Sequence, residues 1–188
     1  FGSVPEDAAI RRSGARAGDE IWVSGSLGDA KLALAALQGD ITLDAQLMAV
    51  AAERLHAPIP RTALGLALRG IATAAIDISD GLSGDLGHIL EQSAVGATVH
   101  AEALPIGLAL SRSGPEQRYA FALSGGDDYE LCFCAPADKH DAVLQAGRDS
   151  STAVTCIGSI RAERGLQLLD TDGQALTLKL QSFDHFTS

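Results

Sequence analysis

An apolar run opens at Thr73-Ala74-Ala75-Ile76, passes into Asp77-Ile78-Ser79-Asp80 and stops at Gly81. The run is short enough for a buried strand, and the glycine marks its end. Over positions 82–93 the period changes: Leu82, Leu86, Ile89 and Leu90 recur at helical spacing, with Asp85 and Glu91 between them. The pattern predicts strand, tight turn and helix, with acids at the junction. Side chains two apart on a strand share a face, so Asp77 and Ser79 point one way and Ile78 the other. Asp80 falls where strand gives way to helix, and Asp85 falls a turn into the helix, away from the junction face.

The same pattern divides the rest of the chain. Positions 20–24 read as a strand closed by the turn Gly25-Ser26-Leu27-Gly28-Asp29. Backbone N–H groups of such a turn can cradle a phosphate, but a plain turn with Asp29 capping the next helix is the favoured reading. Helices are predicted over 30–37, over 43–55 (introduced by Thr42, with Leu47, Val50, Ala51 and Leu55 as its apolar stripe) and over 61–69, with Pro58 and Pro60 between the last two. Further strands are expected at 97–101, 129–135 and 153–160, and helices at 116–123 and 136–147, with a short one after Leu104-Pro105-Ile106. Leucine-rich stretches at 166–170 and 175–180 flank Thr171-Asp172-Gly173 as a hairpin, which argues against a purely parallel sheet. The order of elements predicts an α+β domain, layered α/β/α, with a mixed sheet covered by helices.

Composition narrows the function classes. Of 188 residues, 46% are hydrophobic, enough to fill a core, and the formal charge is −10. That balance argues against a nucleic-acid or membrane partner, either of which favours a basic patch. Cys132, Cys134 and Cys156 are three, without a Cys-x-x-Cys pair, so neither a disulfide framework nor a zinc site is expected. Cys132 and Cys134 read as packing residues. His56, His88, His100 and His140 have no ligand spacing and read as structural. No signal peptide or membrane-length apolar run is visible, and a reduced cytoplasm is the expected location.

The candidate chemistry lies in the acids. No Lys or Arg occurs between Arg69 and Arg112, so no sequence neighbour neutralises Asp77 and Asp80. Carboxylates crowded at a strand end suit a hard divalent cation such as Mg²⁺, which bridges one or two carboxylates to phosphate. The helix start behind them offers free N–H groups. Taken alone these residues leave a second reading open, with Ser79 or Asp80 capping the helix and Asp77 paired to a distant arginine. A second acidic block, Ser124-Gly125-Gly126-Asp127-Asp128, has glycines that permit close backbone approach to a ligand. It reads equally as a glycine turn with solvated acids.

Four blocks together carry a resemblance. Asp77-Ile78-Ser79-Asp80-Gly81-Leu82 with Asp85-Leu86-Gly87-His88-Ile89 resembles the central motif of the thiamine-monophosphate kinase family, of the aminoimidazole ribonucleotide synthetase-like superfamily. Ala122-Leu123-Ser124-Gly125-Gly126-Asp127-Asp128-Tyr129-Glu130-Leu131, Arg12-Ser13-Gly14-Ala15-Arg16-Ala17-Gly18-Asp19 and the ending Phe183-Asp184-His185-Phe186 are similar to further blocks of that family, in the same order. The resemblance implies the fold of the superfamily's C-terminal domain, with residues 1–18 a connecting segment from an absent N-terminal ATP-binding domain and 19–188 the C-terminal domain. It implies ATP-dependent phosphorylation of thiamine monophosphate to thiamine diphosphate, a magnesium cofactor, a homodimer formed through the absent domain, and no activity of this stretch alone. Asp77 and Asp80 would ligate Mg²⁺, Arg12 and Ser79 would contact ATP, and Asp128 and Phe183 would contact thiamine monophosphate. Asp127 stands where the family often has Glu, which leaves its role undefined. The alternatives are a non-catalytic metal- or nucleotide-binding module, or another enzyme of the superfamily such as the purine cyclo-ligase.

Overall fold

A computed structural model describes residues 4–6 and 8–176. Its sheet has six strands: β1 (Asp19–Ser24), β2 (Ala74–Ile78), β3 (Gly96–His100), β4 (Glu130–Pro136), β5 (Val154–Arg161) and β6 (Gly165–Leu169), in the spatial order β2-β4-β1-β5-β3-β6. The pairing of β3 with β6 is parallel, and the other strand pairs run antiparallel. The sheet is mixed, as expected from the hairpin that follows β6. There Asp170 N donates to Gln174 O, Leu176 N donates to Leu168 O, and residues 177–180 lie outside the described ones.

The helices are α1 (Asp29–Gln38), α2 (Ala45–His56), α3 (Thr62–Ala67), α4 (Leu82–Ser93), α5 (Pro115–Ser124) and α6 (His140–Asp149). Strand alternation divides the core. Ile21 and Val23 of β1, Ile76 and Ile78 of β2, and Cys132 and Cys134 of β4 pack with Leu82, Leu86, Ile89 and Leu90 of α4. On the other side Trp22 and Phe133 stack with ring centroids 6.4 Å apart and pack with Leu64, Leu68 and Val143 from the α3 and α6 region. The architecture is therefore the α+β layered domain that the pattern predicts. A third core, with Leu32, Ala33, Ala51 and Leu110, joins α1 and α2 to the turn at Leu110–Arg112. No described helix is long and apolar enough to cross a membrane. Burial pushes the Cys134 thiol up to about 12 and the Cys132 thiol upward as well, so both are inert packing groups.

Several local expectations shift. The cap of α2 is Asp44, not Thr42: its Oδ1 accepts from Gln46 N and Leu47 N, both at 2.9 Å. The helix expected from 136 opens as a 3₁₀ turn, Ala137–Lys139, before α6. Gly28, in the left-handed region at φ 88°, precedes α1, while Asp29 turns away and accepts from Ala109 N and Leu110 N. From Ile10 onward the expected connecting segment lies against the domain. Ala15 is buried in the core, Gly18 N donates to Ile160 O, and Ala75 N of edge strand β2 donates to Arg11 O.

Candidate functional site

Strand β4 lies between β2 and β1 and runs antiparallel to both, so the C-terminal ends of β2 and β1 flank its start. That topology gathers three turns at one end of the sheet, at residues 79–81, 25–28 and 125–129. The two acidic blocks, about fifty positions apart in the chain, are joined directly: Tyr129 N donates to Ile78 O at 2.9 Å, and Asp127 N donates to Ser79 O at 3.0 Å. Asp127 and Tyr129 stand in the left-handed region at φ 69° and 50°, a conformation that non-glycine residues hold only when their surroundings impose it.

At the strand end, Asp77 and Asp80 are exposed while Ile78 is fully buried, as the alternation predicts. Neither aspartate has an ion pair among the described residues. Asp127 is half-buried, and its carboxylate lies 3.4 Å from the Tyr129 hydroxyl. The charge of Asp127 first, then burial and the charges of Asp77 and Asp80, hold the Tyr129 phenol above its ordinary range. The charges of three aspartates, at the end of β2 and in two adjoining turns, therefore all act on Tyr129. Arg12 comes near Asp77 from the N-terminal segment: a surface depression of about 470 Å³ is lined by Ile10, Arg11, Arg12, Ala75, Ile76, Asp77 and Leu131.

Asp85 does more than the helical period suggested. It is 3% exposed, and its Oδ2 accepts from Ser79 N at 3.0 Å and Asp80 N at 3.1 Å. Neither Ser79 nor Asp80 caps α4; Gly81 does, at φ 113° and without a side-chain cap. Asp85 instead reaches back from the first turn and holds the acid-bearing loop by its amides. Burial, the largest influence, pushes its carboxyl upward.

Asp128 also differs from expectation. It is 1% exposed, and its two oxygens lie 3.0 and 2.9 Å from Gly28 N. Burial pushes its carboxyl up to about 8, against the opposing pull of the Gly28 amide and Arg54. The turn that might have cradled a phosphate therefore already spends an amide on this carboxyl. Behind it, Glu130 is fully buried and accepts from the Ser24 hydroxyl at 2.5 Å, Arg54 Nη2 at 2.6 Å, and Arg61 Nε and Nη2 at 2.7 and 2.6 Å. Arg54 and Arg61 were not singled out in the sequence, and Asp85 and Glu130 appeared there, in the resembling blocks, without a role. For Glu130 a signal existed, since an acid at the start of a buried strand demands cationic partners. Phe183 lies outside the described residues.

The paired glycines serve the protein's own packing. A Cβ on Gly126 would lie 2.6 Å from Ser79 O, and one on Gly125 would lie 2.3 Å from Phe121 O. Gly126→Ala is thus expected to push the two acidic loops apart and to destabilise by about 1–3 kcal/mol, the usual range for overpacking. Denaturant unfolding measures this, and an unchanged midpoint would show that the loops are not in contact.

Among the described residues no three His, Cys, Asp or Glu side chains converge into a metal cage. Asp77 and Asp80 are nevertheless of the donor type that suits a divalent ion. They are exposed, unpaired oxygen donors, and Mg²⁺ is commonly held by one or two carboxylates together with water and substrate phosphate.

A family model described as AIR synthase related protein, C-terminal domain, matches residues 16–170. Over 190 aligned residues the chain is 43% identical to the thiamine-monophosphate kinase of Escherichia coli (strain K12), covering 100% of this chain and 58% of that relative. The chain thus spans 58% of the length of the first curated relatives it matches. The crystal structure of thiamine-monophosphate kinase from Stenotrophomonas maltophilia K279a superposes with a TM-score of 0.83 at 44% identity, over 92% of this chain and 56% of that one. The structure of AaThiL complexed with AMPPCP and TMP superposes with a TM-score of 0.76 at 28% identity, over 94% of this chain and 54% of that one.

Proposed function

The chain belongs to the AIR synthase related proteins, as their C-terminal domain, and from that premise we propose that it forms the C-terminal part of a kinase that transfers the γ-phosphoryl group of ATP to thiamine monophosphate. The observation that carries this reading is the meeting of Asp77, Ser79, Asp80 and Asp127 at one sheet end, beside the depression shared by Asp77 and Arg12. The names of the relatives and the AMPPCP and TMP of the structural neighbour support the choice of substrates.

Phosphoryl transfer between two phosphates needs positioning and charge neutralisation more than covalent help. Arg12 would orient nucleotide phosphate through its guanidinium fork. The Ser79 hydroxyl would hydrogen-bond ATP from the same strand end. Asp77 and Asp80 would hold Mg²⁺, which when bound offsets the charge of the phosphates and of the aspartates themselves. Asp127, half-buried with its carboxylate beside the exposed Tyr129 hydroxyl, would face thiamine monophosphate. Asp128, expected in that role, would instead set the Gly28 turn against that loop. Phe183 would stack on the cationic heterocycle of the substrate. Residues 10–18 would lead toward an N-terminal ATP-binding domain.

The test is thiamine diphosphate formation from ATP and thiamine monophosphate by a polypeptide of the relatives' full length carrying this chain. No product with Mg²⁺ present would refute the proposal. Within that polypeptide, Asp77→Asn is expected to weaken Mg²⁺-dependent nucleotide binding by about tenfold, some 1.4 kcal/mol. The melting temperature should stay put, because the side chain is exposed. Asp85→Ala should lower the melting temperature, since it strands two backbone donors. Calorimetry with and without Mg²⁺ separates them, and equal losses of binding at equal stability would remove Asp77 from the metal.

A further inference from the structure

Arg54 sits in the last turn of α2, in the helical layer beside the sheet, yet its guanidinium reaches the acidic loop. Nη2 donates to Glu130 Oε1 at 2.6 Å and lies 3.4 Å from the Asp128 carbonyl oxygen. Arg61 grips the same carboxylate through two nitrogens and, among the described residues, makes no hydrogen bond to the loop backbone. The two arginines therefore share one anchor, and only Arg54 also reaches the loop carbonyl. That contact falls on the residue between Asp127 and Tyr129, the two positions held at left-handed φ. A single guanidinium nitrogen bridging a buried carboxylate and a loop carbonyl supplies the outside constraint that such a backbone requires.

We propose that Arg54 is a positioning residue for the substrate loop: by tying the Asp128 carbonyl to Glu130 it holds Asp127 toward the site formed with Asp77 and Asp80. The consequence for substrate rests on the kinase reading above; the positioning itself does not. A lysine at 54 retains the charge, but its ammonium sits one bond closer to the backbone than Arg54 Nη2, so from the same helix position it pairs with Glu130 without also reaching the Asp128 carbonyl. Arg61→Lys removes a comparable share of the ion cluster without touching the loop carbonyl, and so serves as the control.

Hydrogen exchange on the polypeptide of full length reads the loop directly, because Asp127 N and Tyr129 N donate to Ser79 O and Ile78 O. In Arg54→Lys those two amides are expected to exchange about tenfold faster, while amides of the β4 ladder at Cys132 and Cys134 keep their rates. In Arg61→Lys the loop amides should stay within about twofold of the parent. Kinetically, Arg54→Lys should raise the KM for thiamine monophosphate about tenfold and leave that for ATP within about twofold. Equal acceleration in both variants, no acceleration in Arg54→Lys, or lost protection through β4 would each overturn the proposal. A parent polypeptide that exchanges as expected but forms no thiamine diphosphate would refute the kinase reading and leave the positioning role standing.

Discussion

Glu130→Ala is expected to remove about 3–5 kcal/mol of stability, the range seen when one partner of a buried ion pair is deleted. The carboxylate is fully buried at the head of β4, and three side chains converge on it: Ser24 from the end of β1, Arg54 from α2 and Arg61 from the segment before α3. Its removal strands two guanidinium groups whose side chains are only 17% and 14% exposed. It also frees the Ser24 hydroxyl, which Leu131 N uses as an acceptor. For a domain whose total stability lies at about 5–15 kcal/mol, such a loss is large enough to lower the unfolding midpoint sharply. A second replacement should recover part of it: in Glu130→Ala with Arg61→Ala, the combined loss should be smaller than the sum of the two single losses, because the arginine no longer sits unpaired. Urea unfolding of the four proteins measures both effects. A single-variant loss below about 1 kcal/mol, or simple additivity, would show that the cluster is a solvated surface group.

The same cluster shows why the site was only partly legible in the sequence. Asp77, Ile78 and Ser79 could be assigned to faces because strand alternation is local and β2 obeys it. The joining of 77–80 to 125–129 was not stated from the sequence, because periodicity is silent about which strand lies beside which. In the structure it follows from β4 lying between β2 and β1. Glu130 accepts from arginines 76 and 69 positions away, and no local pattern reports a partner at that distance. Asp85 was misread for a related reason. Helical spacing fixed its place in α4, but its acceptor role depends on the loop folding back over the first turn. The glycine pair left a ligand approach and a plain turn equally open in the sequence, and Ser79 O and Phe121 O already fill the space beside it. The adjacent acids are separated by φ: Asp127 at φ 69° keeps its carboxylate near the Tyr129 hydroxyl, and Asp128 next to it turns inward onto Gly28.

The inward turn of Asp128 makes stability depend on pH in an unusual direction. Burial raises its carboxyl from 3.8 to about 8, with Glu130 and Asp29 adding to the rise and Gly28 and Arg54 opposing it. Between those values the folded chain keeps a proton that the unfolded chain has released. The folded state then binds more protons, and stability falls as pH rises. The contribution is fully present below about pH 4, declines across the neutral range and levels off once the folded-state carboxyl has ionised. At about 1.4 kcal/mol per pH unit the ceiling of the effect is about 6 kcal/mol, and a measured change of a few kcal/mol across the window is expected. Asp85, also raised by burial, adds a slope of the same sign. Asp128→Asn isolates the larger contribution, because the amide oxygen can still accept from Gly28 N and carries no charge at any pH. Its unfolding free energy should lie close to the parent's at about pH 4 and below, and exceed it increasingly toward pH 8.5. Denaturant unfolding at half-unit pH steps compares the two proteins, and parallel curves would mean that Asp128 ionises at an ordinary carboxylate pH in the folded chain.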